Sequence, residues 1–169
     1  MTQAFIALGS NLENPIRQIN LAFFALAKMP KTKLVKKSSL YQTAPIGYEE
    51  GELGKIPDFI NAVAEVDTDL SPLELLDEIL NIENHAGRVR PYPNAPRVLD
   101  CDLLLYDDSV MQTKALTLPH PRMHTRGFVL LPLFEIAPQL VIPNHGKIAK
   151  LMTDDVKQGV KKIEENSVA

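Results

Sequence analysis

Asp100 and Asp102 stand one residue apart in the run Arg97-Val98-Leu99-Asp100-Cys101-Asp102-Leu103-Leu104-Leu105-Tyr106. The apolar residues around them make this a buried strand, and side chains along a strand alternate between its two faces. Leu99, Cys101, Leu103 and Leu105 are expected on one face, and Asp100, Asp102, Leu104 and Tyr106 on the other. The carboxylates then point the same way, about 6.5 Å apart along the strand. Like charges at that spacing repel, and both lose hydration if the strand is central. Two arrangements would compensate them. Arginines could close a structural ion-pair network, or a divalent cation could bridge the carboxylates to phosphate oxygens. Magnesium suits the second, because it takes oxygen ligands, keeps several waters and is held by one or two carboxylates plus substrate phosphates.

The cations nearby favour the phosphate alternative. Arg88, Arg90 and Arg97 fall within ten residues just upstream, with Arg122 and Arg126 downstream. Arginine offers a planar fork that matches phosphate oxygens. A charge run is ordinarily a solvated face, but here it adjoins two acids in a chain of net charge -3. That net charge also argues against a general nucleic-acid binder. His120 and His124 are four apart, but Pro119 and Pro121 disrupt a helical first turn and the glutamate of a zinc motif is missing. His120 reads better as a hydrogen-bond donor to phosphate. Neither standard phosphate loop is present: Gly51 to Lys55 has the wrong spacing, Ile56 stands where a hydroxyl residue should be, and there is no G-x-G-x-x-G. Tyr41, Tyr48, Phe59, Tyr92 and Phe128 could stack on a planar ring or simply fill the core. Asn61 shares a strand face with Phe59 inside an apolar run. A buried amide must be satisfied, either by the backbone or by a heterocycle with adjacent donors and acceptors.

These groups need a frame. Residues 4–8 read as a buried strand ended by Gly9. Asn14-Pro15 starts a helix that runs to about Lys28 and stops at Pro30. Residues 33–42 read as one edge strand, 44–58 as a loop rich in glycine and proline, and Phe59 to Val66 as a third strand. Ser71-Pro72-Leu73-Glu74 opens a second helix that reaches His85 and ends at Gly87. The basic loop 87–97 and the Asp strand follow. Val110 and Met111 read as a short strand, 122–136 as a helix, 139–143 as extended, and 148–165 as one amphipathic helix. The order is β-α-β-β-α-β plus a C-terminal extension. It predicts an α+β fold with a ferredoxin-like core and a mostly antiparallel sheet packed by helices. At 169 residues the expectation is a single domain. The one cysteine, Cys101, can form no intrachain disulfide and reads as a packing residue. The N-terminus lacks a basic leader, and no apolar run approaches the ~20 residues of a membrane span. A cytoplasmic protein is expected.

At this point the residues match a known pattern. The chain resembles the 6-hydroxymethyl-7,8-dihydropterin pyrophosphokinases of folate synthesis. The likeness runs from about residue 4 to residue 143. It rests on Ala7-Leu8-Gly9-Ser10-Asn11-Leu12, Tyr41-Gln42-Thr43-Ala44-Pro45-Ile46-Gly47, Asp58-Phe59-Ile60-Asn61-Ala62, Ile82-Glu83 with Gly87-Arg88-Val89-Arg90, the Pro96 to Tyr106 run, Leu118-Pro119-His120-Pro121-Arg122-Met123 and Arg126-Gly127-Phe128-Val129-Leu130. The resemblance implies a transferase that takes ATP and 6-hydroxymethyl-7,8-dihydropterin and releases AMP and the pterin diphosphate. It implies two Mg2+ ions held by Asp100 and Asp102. Arg88, Arg97, His120 and Arg126 would contact the phosphates, with Arg90 in support and Arg88 and Arg97 acting in catalysis beside the aspartates. Glu83 would lie near the nucleotide, and Leu103 and Thr117 would line the adenosine site. The pterin would lie between Phe59 and Phe128, hydrogen-bonded by Asn61 and by Thr43, Ala44, Pro45 and Ile46. A monomer without nucleic-acid or membrane partners is expected. The chain departs from the family pattern in having no Trp in the basic loop, where Tyr92 or Asn94 falls instead. Two rivals from other classes are a metal-dependent phosphohydrolase built on the same acids and a ferredoxin-like RNA-binding module. The RNP signature of the latter is absent.

Overall fold

The computed structural model describes residues 1–12, 14–44, 58–86 and 98–163. Five strands and two helices form its frame: β1 (Thr2–Ser10), α1 (Pro15–Ala27), β2 (Thr32–Lys37), β3 (Tyr41–Thr43), β4 (Phe59–Thr68), α2 (Pro72–Ala86) and β5 (Asp100–Tyr106). Then come β6 (Met111–Gln112), β7 (Thr117–Leu118), a 3-10 turn (Met123–Thr125), α3 (Gly127–Ile136), β8 (Val141–Ile142), β9 (Gly146–Lys147), α4 (Ile148–Leu151), α5 (Asp154–Lys157) and β10 (Val160–Lys162). The main sheet runs β10-β3-β4-β1-β5, and every pairing is antiparallel. β2 lies end to end with β3 along the same side of β4. Thus β1 and β2 are parallel with β4 between them, and β4 and β5 are parallel with β1 between them. These are two interlocked split β-α-β units, as the element order predicts.

Both long helices start where their caps are written. The Asn14 side chain accepts from Arg17 N, with Pro15 at the first helical position. Ser71 Oγ accepts from Glu74 N at 3.2 Å, and Glu74 Oε1 accepts from Ser71 N at 2.9 Å, a reciprocal capping box. The helices α1 and α2 cover one sheet face, burying Ile19, Phe23, Leu26, Leu75 and Ile79 against Ile6, Leu8, Ala62 and Val66. α3 covers the other face, with Leu130 and Leu133 against Phe5, Val63, Leu104 and Leu105.

The structure corrects the sequence reading in four places. The expected strand 33–42 is broken at Ser38, whose Oγ accepts from Val63 N at 2.9 Å where a backbone carbonyl would continue the ladder. Strict alternation fails in β5. Ile6 pairs with Leu103 and Phe5 with Leu105, so Leu104 is an extra residue. Leu104 and Leu105 both enter the α3-side core, and Tyr106 turns to the opposite side, where its hydroxyl donates to Leu70 O at 2.7 Å. The bulge lies beyond Asp100 and Asp102, which keep their common face. The expected helix 122–136 is a 3-10 turn followed by α3. The expected helix 148–165 is absent. Thr153 Oγ1 accepts from Val156 N and starts a separate short helix, and Gly159 at φ 78° turns the chain out of it into β10. No helix among the described residues is long and apolar enough to cross a membrane.

Candidate active site

Gly9 of β1 pairs with Asn61 of β4 on one side and with Asp100 of β5 on the other. A Cβ at this position would come within 3.2 Å of Asn61 Oδ1. The glycine therefore makes room for the amide at the centre of the sheet, and around it opens a cavity of about 460 Å³. Its walls come from five elements and the segment before the last of them. β1 gives Ala7, Leu8 and Gly9; β3 and β4 give Thr43, Phe59 and Asn61, with Ala44 beside them; β5 gives Asp100, Asp102 and Leu104. The segment leading into α3 gives His120, Arg122 and Arg126, and α3 itself gives Phe128 and Val129.

The acidic end is fixed by backbone contacts. Asp102 pairs with Ala7 across the ladder and its side chain is exposed. β5 lies at the edge of the sheet, so its outer groups need partners from elsewhere. Cys101 N donates to Glu83 Oε2 at 2.8 Å, which ties the strand to α2 between the two aspartates. Ser10 Oγ donates to Val98 O just before the strand. Burial, and then the charges of Glu83, Asp102 and Asp100, push the Cys101 thiol well above its ordinary range, so it is no nucleophile.

His120 is oriented by two backbone bonds. Its N–H donates to Leu104 O at 2.9 Å, and its Nδ1 accepts from Arg122 N at 3.2 Å. With Nδ1 occupied as an acceptor, the neutral ring carries its proton on Nε2. Burial lowers its pKa, Asp102 pulls the other way, and Arg126 and Arg122 lower it further. The result is a neutral donor beside a carboxylate. His124 is not its partner: that ring stacks on His145 at 3.9 Å and does not line the cavity.

The ring-lined end is held as firmly. Asn61 Nδ2 donates to Thr43 Oγ1 at 3.0 Å, and the Arg126 guanidinium lies 5.5 Å from the Phe128 ring centre. Glu135 of α3 accepts from Tyr41 Oη at 2.7 Å and from Ser39 N and Oγ, fastening α3 to β3. Burial, then the Glu135 bond and charge, raise the Tyr41 pKa far above its ordinary value.

The cavity thus gathers Thr43, Ala44, Phe59, Asn61, Asp100, Asp102, His120, Arg126 and Phe128 from the sequence-based set. It does not gather Leu103, whose side chain is buried under α1 and α2, nor Thr117, half-buried in β7. Glu83 sits behind β5 as its anchor. Arg88, Arg90, Arg97, Pro45 and Ile46 lie outside the described residues. Leu104, which had no assigned site role, and Arg122, singled out only as one of the nearby cations, also line the cavity. Leu104 keeps the aspartate face that alternation gives it; the bulge, which leaves no trace in an apolar run, redirects Leu105 instead.

An antiparallel α+β sheet with two acids, two arginines and a histidine at one end of a ring-lined cleft defines a small-molecule enzyme site suited to phosphate and a flat heterocycle. The chain belongs to the family described as 7,8-dihydro-6-hydroxymethylpterin-pyrophosphokinase (HPPK), whose profile it matches over residues 5–138. It is 47% identical over 158 residues to the 2-amino-4-hydroxy-6-hydroxymethyldihydropteridine pyrophosphokinase of Haemophilus influenzae, covering 94% of this chain and 93% of that one. The protein of the same name from Pseudomonas aeruginosa is 38% identical over 161 residues, 95% of this chain and 96% of that one. Among solved structures, Plasmodium falciparum HPPK-DHPS with pteroate superposes with a TM-score of 0.73 at 18% identity. That match covers 96% of this chain but only 46% of the Plasmodium chain, and it bears on the fold alone.

Proposed function

We infer that this chain transfers the pyrophosphoryl group of ATP to 6-hydroxymethyl-7,8-dihydropterin in folate synthesis, by direct attack of the hydroxymethyl oxygen on the β-phosphorus. The bond from that phosphorus to the α–β bridging oxygen breaks, and AMP leaves. One observation carries the residue assignment: within the segment that matches the family, two carboxylates and two aromatic rings open onto the same cavity.

The pterin lies between Phe59 and Phe128. Asn61 is held by Thr43 with its Oδ1 over Gly9, where a ring N–H can reach it. Thr43, Ala44, Pro45 and Ile46 complete that end. Asp100 and Asp102 are the residues that would hold two Mg2+ ions. The donor set suits them: hard carboxylate oxygens on one strand face, in a cavity with room for phosphates. Bound Mg2+ would neutralise phosphate charge and lower the pKa of the attacking hydroxyl. His120 Nε2–H and Arg126 donate to phosphate oxygens, with Arg88, Arg97 and Arg90 from the basic loop. Because Nδ1 is engaged by Arg122 N and Nε2 holds its proton, His120 donates and does not act as a base. No protein base is essential, and catalysis comes from positioning and charge neutralisation. Leu103, its side chain buried, can offer adenosine only its backbone, with Thr117 as the second group assigned to that ligand. The enzyme works as a cytoplasmic monomer.

The test is product analysis with ATP, Mg2+ and the hydroxymethyl pterin. AMP and pterin diphosphate in equal amounts support the assignment. Phosphate release that is indifferent to pterin would mark a hydrolase instead.

A further inference from the structure

The ring-lined end of the cleft has two walls from distant parts of the chain. Thr43 ends β3, and Arg126 and Phe128 flank the start of α3. One C-terminal segment touches both. β10 extends the sheet beyond β3, with Val160 opposite Thr43. Gly127 stands between Arg126 and Phe128, and a Cβ built on it would overlap the backbone carbonyl of Val156 and lie 3.2 Å from Val160 Cγ2. A carbonyl oxygen has no rotamer to escape into. The missing side chain is what lets α5 close onto the first turn of α3. The segment itself is shaped for this, with the Thr153 cap at its start and the left-handed Gly159 at the turn into β10.

We propose that Thr153–Lys162 is a positioning strap, seated on Gly127, that fixes the spacing between the Thr43 wall and the Arg126–Phe128 wall and so sets affinity for the ring-bearing substrate. This rests on the assignment of that end of the cleft to the pterin. The strap pairs with β3 and rests on Gly127, whereas the aspartate strand pairs with β1 and is anchored to α2, so of the phosphate-facing groups only Arg126 moves with the strap.

Two variants of the full chain test this, with dissociation constants measured separately for pterin and for an ATP analogue. Gly127→Ala forces the strap and α3 apart and weakens pterin binding by about tenfold to a hundredfold, the scale of a 1 Å misplacement. Gly159→Ala makes no direct clash, since nothing lies within 4 Å of its added Cβ, but strains the left-handed turn that feeds β10. It gives a smaller loss in the same direction and decides the matter alone if Gly127→Ala does not fold. In both, pterin affinity falls more than ATP-analogue affinity, which loses only the share that Arg126 carries. Phe128→Ala is the control for the underlying site. If it weakens pterin binding while the glycine variants leave that binding unchanged, or lower both affinities equally, the strap is only scaffold and the proposal fails. If Phe128→Ala itself leaves pterin binding unchanged, the pterin assignment is wrong and the strap proposal falls with it.

Discussion

Glu83 offers the sharpest test of how the acidic end is held. Its carboxylate is buried, and Cys101 N donates to it at 2.8 Å on the outer edge of β5, between Asp100 and Asp102. Glu83→Ala removes that acceptor. The amide is left either unpaired or reliant on water that must enter beside α2. A hydrogen bond to a charged group is worth about 1.5–3 kcal/mol, and an orphaned buried donor costs about 1–3 kcal/mol. These are two accounts of the same loss, so the expected destabilisation is about 2–3 kcal/mol in urea unfolding. Glu83→Gln keeps a neutral acceptor of the same length and should cost about half as much. The functional consequence follows from position. Asp100 and Asp102 would still pair with β1 but lose their outer tether, so turnover should fall in Glu83→Ala and be largely rescued in Glu83→Gln. Pterin affinity, set across the cleft, should not change. Urea midpoints and steady-state rates on the three proteins decide this. If Glu83→Ala unfolds within about 0.5 kcal/mol of the parent, the bond contributes nothing and the tether argument is wrong.

Asp102→Ala should leave the fold intact, because the side chain is exposed, and lower turnover by about three orders of magnitude; near-normal rates at saturating Mg2+ would exclude a metal-holding role. Gly9→Ala places a methyl 3.2 Å from Asn61 Oδ1, which must shift by a few tenths of an ångström while still tied to Thr43; pterin titrations should show about threefold to tenfold weaker binding, with stability within about 1 kcal/mol. His120 has a folded pKa below its ordinary value, chiefly through burial, so the unfolded chain takes up the proton first. Stability is then full above about pH 6.5 and is lost as pH falls below it. His120→Asn should flatten part of that slope in unfolding curves measured across the window, the remainder including His145, which shifts the same way through burial and His124.

What the sequence made legible was local chemistry. Asn14-Pro15 and Ser71-Pro72-Leu73-Glu74 start helices because their side chains satisfy backbone groups three residues away, a relation visible in one short window. The common face of Asp100 and Asp102 is equally local, since alternation over three residues needs only an extended backbone. The recognised family pattern supplied the wider grouping that no single motif could.

What was not legible depends on contacts across the fold. The β5 bulge exists because β1 and β5 fall out of step between Phe5 and Ile6, and Leu103-Leu104-Leu105 reads identically with or without it. That slip decides that Leu105 joins Leu104 in the α3-side core and that Tyr106 turns to the opposite side. The C-terminal stretch is the stronger case. Ile148, Leu151 and Val156 do share helical spacing, and they do face the α3 core, yet the helix is cut at Thr153 and Gly159. A continuous helix would carry Val160 past the open edge of β3. The break instead lets Val160 pair with Thr43 and lets Val156 press on Gly127. Amphipathic periodicity recorded which residues are buried but not the backbone that buries them. The signals that could have corrected it are the glycine at 159 and the glycine at 127, one a turn and the other the surface that the turned segment rests on.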